Sequence, residues 1–154
     1  VLIQSYVYGQ SVNFQNLTFK LGKDWKEEKK EEKSTTFSYQ KASANIKIYY
    51  LGKVSSEEAA TSMVQILQSQ KVNPKDVETA KKIETKVAKE KALFFEWQEE
   101  LFLDTQNKTL ITYYRLYLVE KKSEKYYFLA KQFYLKETQK PLSKEFDSFI
   151  EGIK

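Results

Sequence analysis

The sequence predicts an α+β fold. An antiparallel sheet of about six to seven strands, ending in a C-terminal meander, is expected to be flanked by helices as an α/β/α sandwich. Three observations lead there. Residues 109–135, TLITYYRLYLVEKKSEKYYFLAKQFYL, hold two long aromatic and β-branched runs around a charged interruption, which is the pattern of a hairpin. Residues 55–70 and 141–154 instead carry apolar side chains at helical spacing. No linker rich in Pro, Gly or Ser and no internal repeat divides the chain, so residues 11–154 read as one domain.

The hairpin is organised by its register. If Val119 faces Tyr126, alternation places Tyr114, Leu116, Leu118, Tyr127 and Leu129 on one face. Tyr113, Arg115, Tyr117, Val119, Phe128 and Ala130 then share the other. A slip of one residue would exchange the faces of one strand. Both faces are apolar enough to need cover, so this hairpin should be central rather than at an edge.

The first ten residues, VLIQSYVYGQ, read either as an N-terminal strand or as the end of an export signal cleaved after Gly9, with Val7 and Gly9 at the small-residue positions. The second reading implies a periplasmic or extracellular address. Residues 16–21 form a short strand, closed by the turn signal Gly22-Lys23-Asp24 with Trp25 beyond. The charged run KEEKKEEK at 26–33 is expected to be a surface loop. Residues 35–40 and 45–51 are two more strands, joined through 41–44.

Next comes a clear helix. Ser55 caps it and Glu58 completes a capping box. Ala59, Met63, Ile66 and Leu67 make its apolar stripe, with Gln70 following at the same spacing. Pro74 stops it, and Asn73 can cap a short second helix with Pro74 in first position. From Ile83 the period changes to two, through Thr85 and Val87. After a turn at Lys89-Glu90-Lys91, a long strand should place Leu93, Phe95, Trp97, Leu101 and Leu103 on one face. Glu96, Gln98 and Glu100 then point to solvent on the other. Leu142, Phe146, Phe149, Ile150 and Ile153 end the chain as the stripe of a helix that lies on the sheet.

Composition excludes much chemistry. Neither Cys nor His is present, which removes disulfides, thiolate and Ser-His nucleophiles, and zinc sites built on those ligands. Glycine occurs only at positions 9, 22, 52 and 152, too sparsely for a P-loop or a dinucleotide fingerprint. The net charge of +5 comes from lysines interleaved with glutamates. Arg115 is the sole arginine, the residue type favoured for bidentate phosphate and guanine recognition. The charge therefore reads as solvation, and no nucleic acid is expected as a partner. No run is long and apolar enough to span a membrane, and no cofactor or metal site is expected.

Several local sequences can be set beside a known family. Phe19-Lys20-Leu21-Gly22-Lys23-Asp24-Trp25 leads into two strands and a helix opened by Ser55-Ser56-Glu57-Glu58. Tyr126-Tyr127-Phe128-Leu129 lies in the last meander strand, and Phe146-Asp147-Ser148-Phe149-Ile150 in the closing helix. From about residue 12 to residue 154 this resembles the PsbP-like (Mog/PsbP) family of α/β/α sandwiches, which includes small exported bacterial domains. The resemblance implies a binding or assembly subunit rather than an enzyme. A cystatin-like or nuclear-transport-factor-like cone is the alternative architecture.

Three functions are compatible with these residues. The first is a non-enzymatic domain that binds a protein partner or assists assembly of an envelope complex, through Tyr113, Arg115, Tyr117 and Phe128, since Tyr and Arg are enriched at interface hot spots. The second is a carrier of a small apolar ligand between sheet and helices, suggested by the aromatic excess and Met63; it requires a cavity of roughly 300 Å³ or more. The third is catalysis by carboxylates among Glu96, Glu99, Glu100 and Asp104. Strand alternation places Glu96 and Glu100 in solvent, so no catalytic residue is expected.

Overall fold

The structure, a computed structural model, describes residues 10–154. Residues 1–9, and with them the expected export signal or N-terminal strand, lie outside the described residues. Nine strands and three helices follow. A two-stranded ribbon comes first, β1 (Ser11–Phe14) paired with β2 (Leu17–Lys20). The main sheet comprises β3 (Trp25–Lys30), β4 (Ser34–Tyr39), β5 (Ala44–Gly52), β6 (Lys81–Val87), β7 (Glu90–Leu103), β8 (Lys108–Lys121) and β9 (Glu124–Leu135). Its order is β3-β4-β5-β9-β8-β7-β6, and every pair is antiparallel. Helices α1 (Ser56–Ser69) and α2 (Pro74–Glu78) lie on one face; α3 (Ser143–Glu151) and the β1–β2 ribbon lie on the other. This is the α+β sandwich the sequence predicts.

The central hairpin has the expected register. Val119 pairs with Tyr126, and β8 and β9 are interior strands. Tyr114, Leu116, Tyr127 and Leu129 pack with α1 and α2, whereas Tyr113, Tyr117, Val119, Phe128 and Ala130 pack with α3 and β1–β2. The charged interruption is shorter than its composition suggests. Glu120 pairs with Lys125 and Lys121 with Glu124, and opposite charges across a ladder stabilise it. The turn is left with Lys122 and Ser123, both at positive φ (52° and 67°), the conformation of a two-residue hairpin turn whose twist matches its strands. The β6–β7 turn is built the same way. Val87 pairs with Glu90, so the turn falls at Ala88-Lys89 and not at Lys89-Glu90-Lys91.

The charged run after Trp25, expected as a loop over 26–33, is strand from Lys26 to Lys30, and only residues 31–33 form the connection to β4. Trp25 is buried, and Thr35, itself fully buried, donates from Oγ1 to Glu27 Oε2 at 2.6 Å. The remaining charges of β3 face water at the sheet edge, where charge deters edge-to-edge pairing.

Both helix starts follow the sequence. Ser55 Oγ accepts from the Glu58 amide at 3.1 Å, and the Glu58 side chain accepts from the Ser55 amide in return. Asn73 Oδ1 accepts from the Lys75 amide at 3.0 Å. On the opposite face, Phe146, Phe149 and Ile150 of α3 are buried against the sheet, and Phe149 packs on Phe19, Trp25 and Phe37 with centroids 4.9–5.9 Å apart. Polar ties fix the connections. Gln132, inside the sheet, accepts the Leu142 amide at 2.8 Å and donates to the Lys140 carbonyl at 3.0 Å, holding the chain between β9 and α3. Asn16, in the β1–β2 turn, is tied to the end of the β8–β9 hairpin through Tyr126, Glu124 and the Lys121 carbonyl.

After α3 the chain closes on β2. The Thr18 and Lys20 amides donate to the Lys154 and Gly152 carbonyls, both at 2.8 Å. That approach requires glycine, because a Cβ on Gly152 would stand 2.5 Å from the Lys20 carbonyl oxygen. Gly152→Ala is expected to cost about 1–3 kcal/mol by forcing backbone apart. Gly22→Ala, where the new methyl would meet only Trp25 Cδ1 at 4.0 Å, is expected to be near neutral. Equilibrium urea unfolding compares them, and equal midpoints would contradict the close approach.

Candidate functional site

The residues expected to form a contact surface are inside the protein. Tyr113 and Arg115 are each 4% exposed, Tyr117 1% and Phe128 0%. The reason is the cover of α3 and β1–β2, whose apolar residues need that face of the sheet. Three of the four meet in one polar knot. Arg115 donates from Nε to Tyr113 Oη at 2.7 Å, and from Nη1 to Tyr117 Oη at 3.0 Å and Asp147 Oδ1 at 2.6 Å. Its guanidinium lies over the Phe94 ring, 4.6 Å from the centroid. Tyr113 in turn donates to Glu96. Phe128 stands apart, packed on Phe19 and Tyr117.

Burial opposes the charge on Arg115, but Tyr117, Asp147 and Tyr113 outweigh it and hold the guanidinium above its ordinary pKa. The knot ties α3 to the sheet through Asp147. Glu96, expected in solvent, is half-buried beside Arg115. Glu99, Glu100 and Asp104 are exposed, with Glu100 3.4 Å from Lys136. Among the described residues no group of three or more acidic side chains is placed to hold a metal ion.

The concave site lies on the other face, between α1 and the sheet. A groove of about 410 Å³ runs there. Its floor is one cross-strand row, Leu93–Leu118–Tyr127. Its helical wall is Ser56, Ala59, Ala60 and Met63, spaced so that all four face the same side. Tyr127 locks the geometry by donating from its hydroxyl to the Ala59 carbonyl at 2.6 Å. Further along, Leu67 is fully buried and fills the helix–sheet space. Near the helix start the wall is alanine, so the backbone approaches closely while space is left beside it. Periodicity alone reads this stripe as core. The sequence signal of an open wall is the small size of Ala59 and Ala60 next to the flexible Met63.

The same face has a second uncovered region beyond α2. The row Leu101–Leu110–Leu135 and the adjoining Glu99–Thr112–Phe133 continue the sheet. Leu101 is 59% and Phe133 42% exposed. Leu101 was expected to share the covered face with Leu93 and Phe95; it is on that face, but past the helices.

No family model and no curated protein matches this chain. The fold does have a solved counterpart. A crystal structure from Bacteroides thetaiotaomicron VPI-5482, at 1.50 Å resolution, superposes with a TM-score of 0.51 over 96% of this chain, at 13% sequence identity. The chain spans 48% of the length of that protein. At this identity the likeness concerns the fold alone. Among the described residues no helix is long and apolar enough to cross a membrane.

The tyrosines that line both faces give the fold a pH dependence. Burial pushes Tyr113, Tyr114, Tyr117 and Tyr126 up to about 12 from an ordinary value of 10. Between those values the unfolded chain has released protons that the folded chain retains. Stability is thus fully present below pH 10 and falls as pH rises towards about 12. Urea midpoints measured from pH 8 to pH 12 should fall steeply in the upper part of that range. Tyr126→Phe should flatten the fall, and an unchanged slope would contradict the assignment.

Proposed function

We propose that this chain is a non-enzymatic binding domain that holds a small apolar ligand in the groove between α1 and β7–β9. The observation that carries the proposal is the groove itself, about 410 Å³ with a Leu93–Leu118–Tyr127 floor and an alanine–methionine wall. Ligand sites are usually concave, mostly apolar and within this size range. The test uses a neutral fluorophore, N-phenyl-1-naphthylamine. It is expected to brighten on binding the wild-type protein and to lose that response in Ala60→Phe, whose exposed position leaves the melting temperature unchanged. An equal response in the two proteins would place the probe elsewhere and defeat the reading.

A second reading rests on a different observation, the exposed Leu101 and Phe133 beyond α2. Large exposed apolar side chains in one patch mark interaction surfaces, and here they would receive a protein partner. A photo-crosslinking amino acid at position 133 should give a discrete heavier species in cells, which Leu101→Glu removes. The same adduct from exposed position 144 would dismiss the surface.

A further inference from the structure

We infer that the groove's ligand is a single-chain anionic amphiphile, an alkyl chain ending in a carboxylate. This rests on the groove being the binding site and adds the chemical class of its occupant. The argument begins with the order of residues on the helix side of the sheet. The apolar floor is the row Leu93–Leu118–Tyr127. Two residues nearer the turns on each strand, alternation brings Lys91, Glu120 and Lys125 to the same side, and all three line the groove. Glu120 and Lys125 are directly paired across β8 and β9. Neither Lys91 nor Lys125 takes part in an ion pair among those of the described residues, and the residue across β6 from Lys91 is another lysine, Lys86.

The groove therefore passes from an apolar floor to a charged mouth. The mouth continues into a cleft of about 540 Å³ formed at the β6–β7 and β8–β9 turns, which shares Lys91 and Glu120 with it. Groove and cleft together present Lys86, Lys89, Lys91, Lys122 and Lys125 against Glu90 and Glu120. The positive excess lies where an alkyl chain on Leu93 and Leu118 would place its head. A neutral apolar ligand would leave this end of the groove without a complement. A cationic head would meet lysine on three strands.

Lysine suits the purpose. Its ammonium is a compact charge on a flexible stem, so it can follow a head group while its methylenes extend the apolar wall. Lys91 and Lys125 both line the groove without an ion-pair partner, so both are placed to meet a carboxylate.

Displacement of N-phenyl-1-naphthylamine by three twelve-carbon amphiphiles below their micellar concentrations tests this: dodecanoate, dodecanol and dodecyltrimethylammonium. Dodecanoate should displace the probe at about tenfold lower concentration than dodecanol, as two partly solvated lysines would give. Dodecyltrimethylammonium should be the weakest. The dodecanoate advantage should shrink in Lys91→Gln/Lys125→Gln and at high salt, while dodecanol is unaffected. Equal displacement by dodecanoate and dodecanol would overturn the anionic assignment and leave the groove as an apolar site. No displacement by any of the three, with the probe response unchanged in Ala60→Phe, would overturn the groove reading as well.

Discussion

The constraint on which this structure depends is the pairing of Val119 with Tyr126. That register decides which aromatic side chains of β8 and β9 face which way, and it leaves neither face polar. Apolar area left in water costs about 25 cal/mol per Å², so both sides of the sheet need cover. The chain meets the two demands unequally. On one side α3 and β1–β2 lie over the sheet, the final residues are hydrogen-bonded to β2, and Gly152 permits backbone contact. The polar groups taken inside there are satisfied, Arg115 by two phenols and a carboxylate.

The other side is covered by less material. Helix α1 has 14 residues, and so have β7 and β8. At 1.5 Å per helical residue and about 3.3 Å per strand residue, roughly 21 Å of helix lies over roughly 46 Å of strand. The five residues of α2 add about 7 Å. Uncovered apolar sheet at the ends is a geometric consequence. At one end it is the alanine-walled groove that opens to lysines; at the other it is the strip of Leu101 and Phe133. The sealed face serves folding, and the incompletely covered face is where binding is proposed.

Much of this could be read from the residues alone. The aromatic runs in residues 109–135 were enough for a central hairpin, and its two faces followed once Val119 was set opposite Tyr126; with both faces apolar, alternation alone does not exclude a one-residue slip. The capping box at Ser55 and the stripe of Phe146, Phe149 and Ile150 depend on local spacing and were equally legible, whereas Ile153, expected on the same stripe, lies past the helix and is bridged to Phe19. Other features depend on neighbours. The run after Trp25 looks like a loop because its charges dominate; only pairing with β4, and the reach of Thr35 to Glu27, show it to be an edge strand. Arg115 and its tyrosines resemble an interface in composition, and their burial depends on which element crosses that face. Asn16 reads only as the start of a short strand, yet its contacts reach β8 and β9, more than a hundred residues away. The groove depends on how far a helix extends over a sheet, which no local pattern encodes.

Met63 gives the most direct access to the central claim. It is the sole methionine of the chain and lies in the groove wall, so a carbon-13 methyl label yields one resonance from within the proposed site. Titration with dodecanoate should move that resonance progressively to saturation, with Ala59 and Ala60 responding in parallel and Leu101 and Phe133 silent. A Met63 methyl that stays in place while dodecanoate binds, or shifts confined to Leu101 and Phe133, would contradict the account.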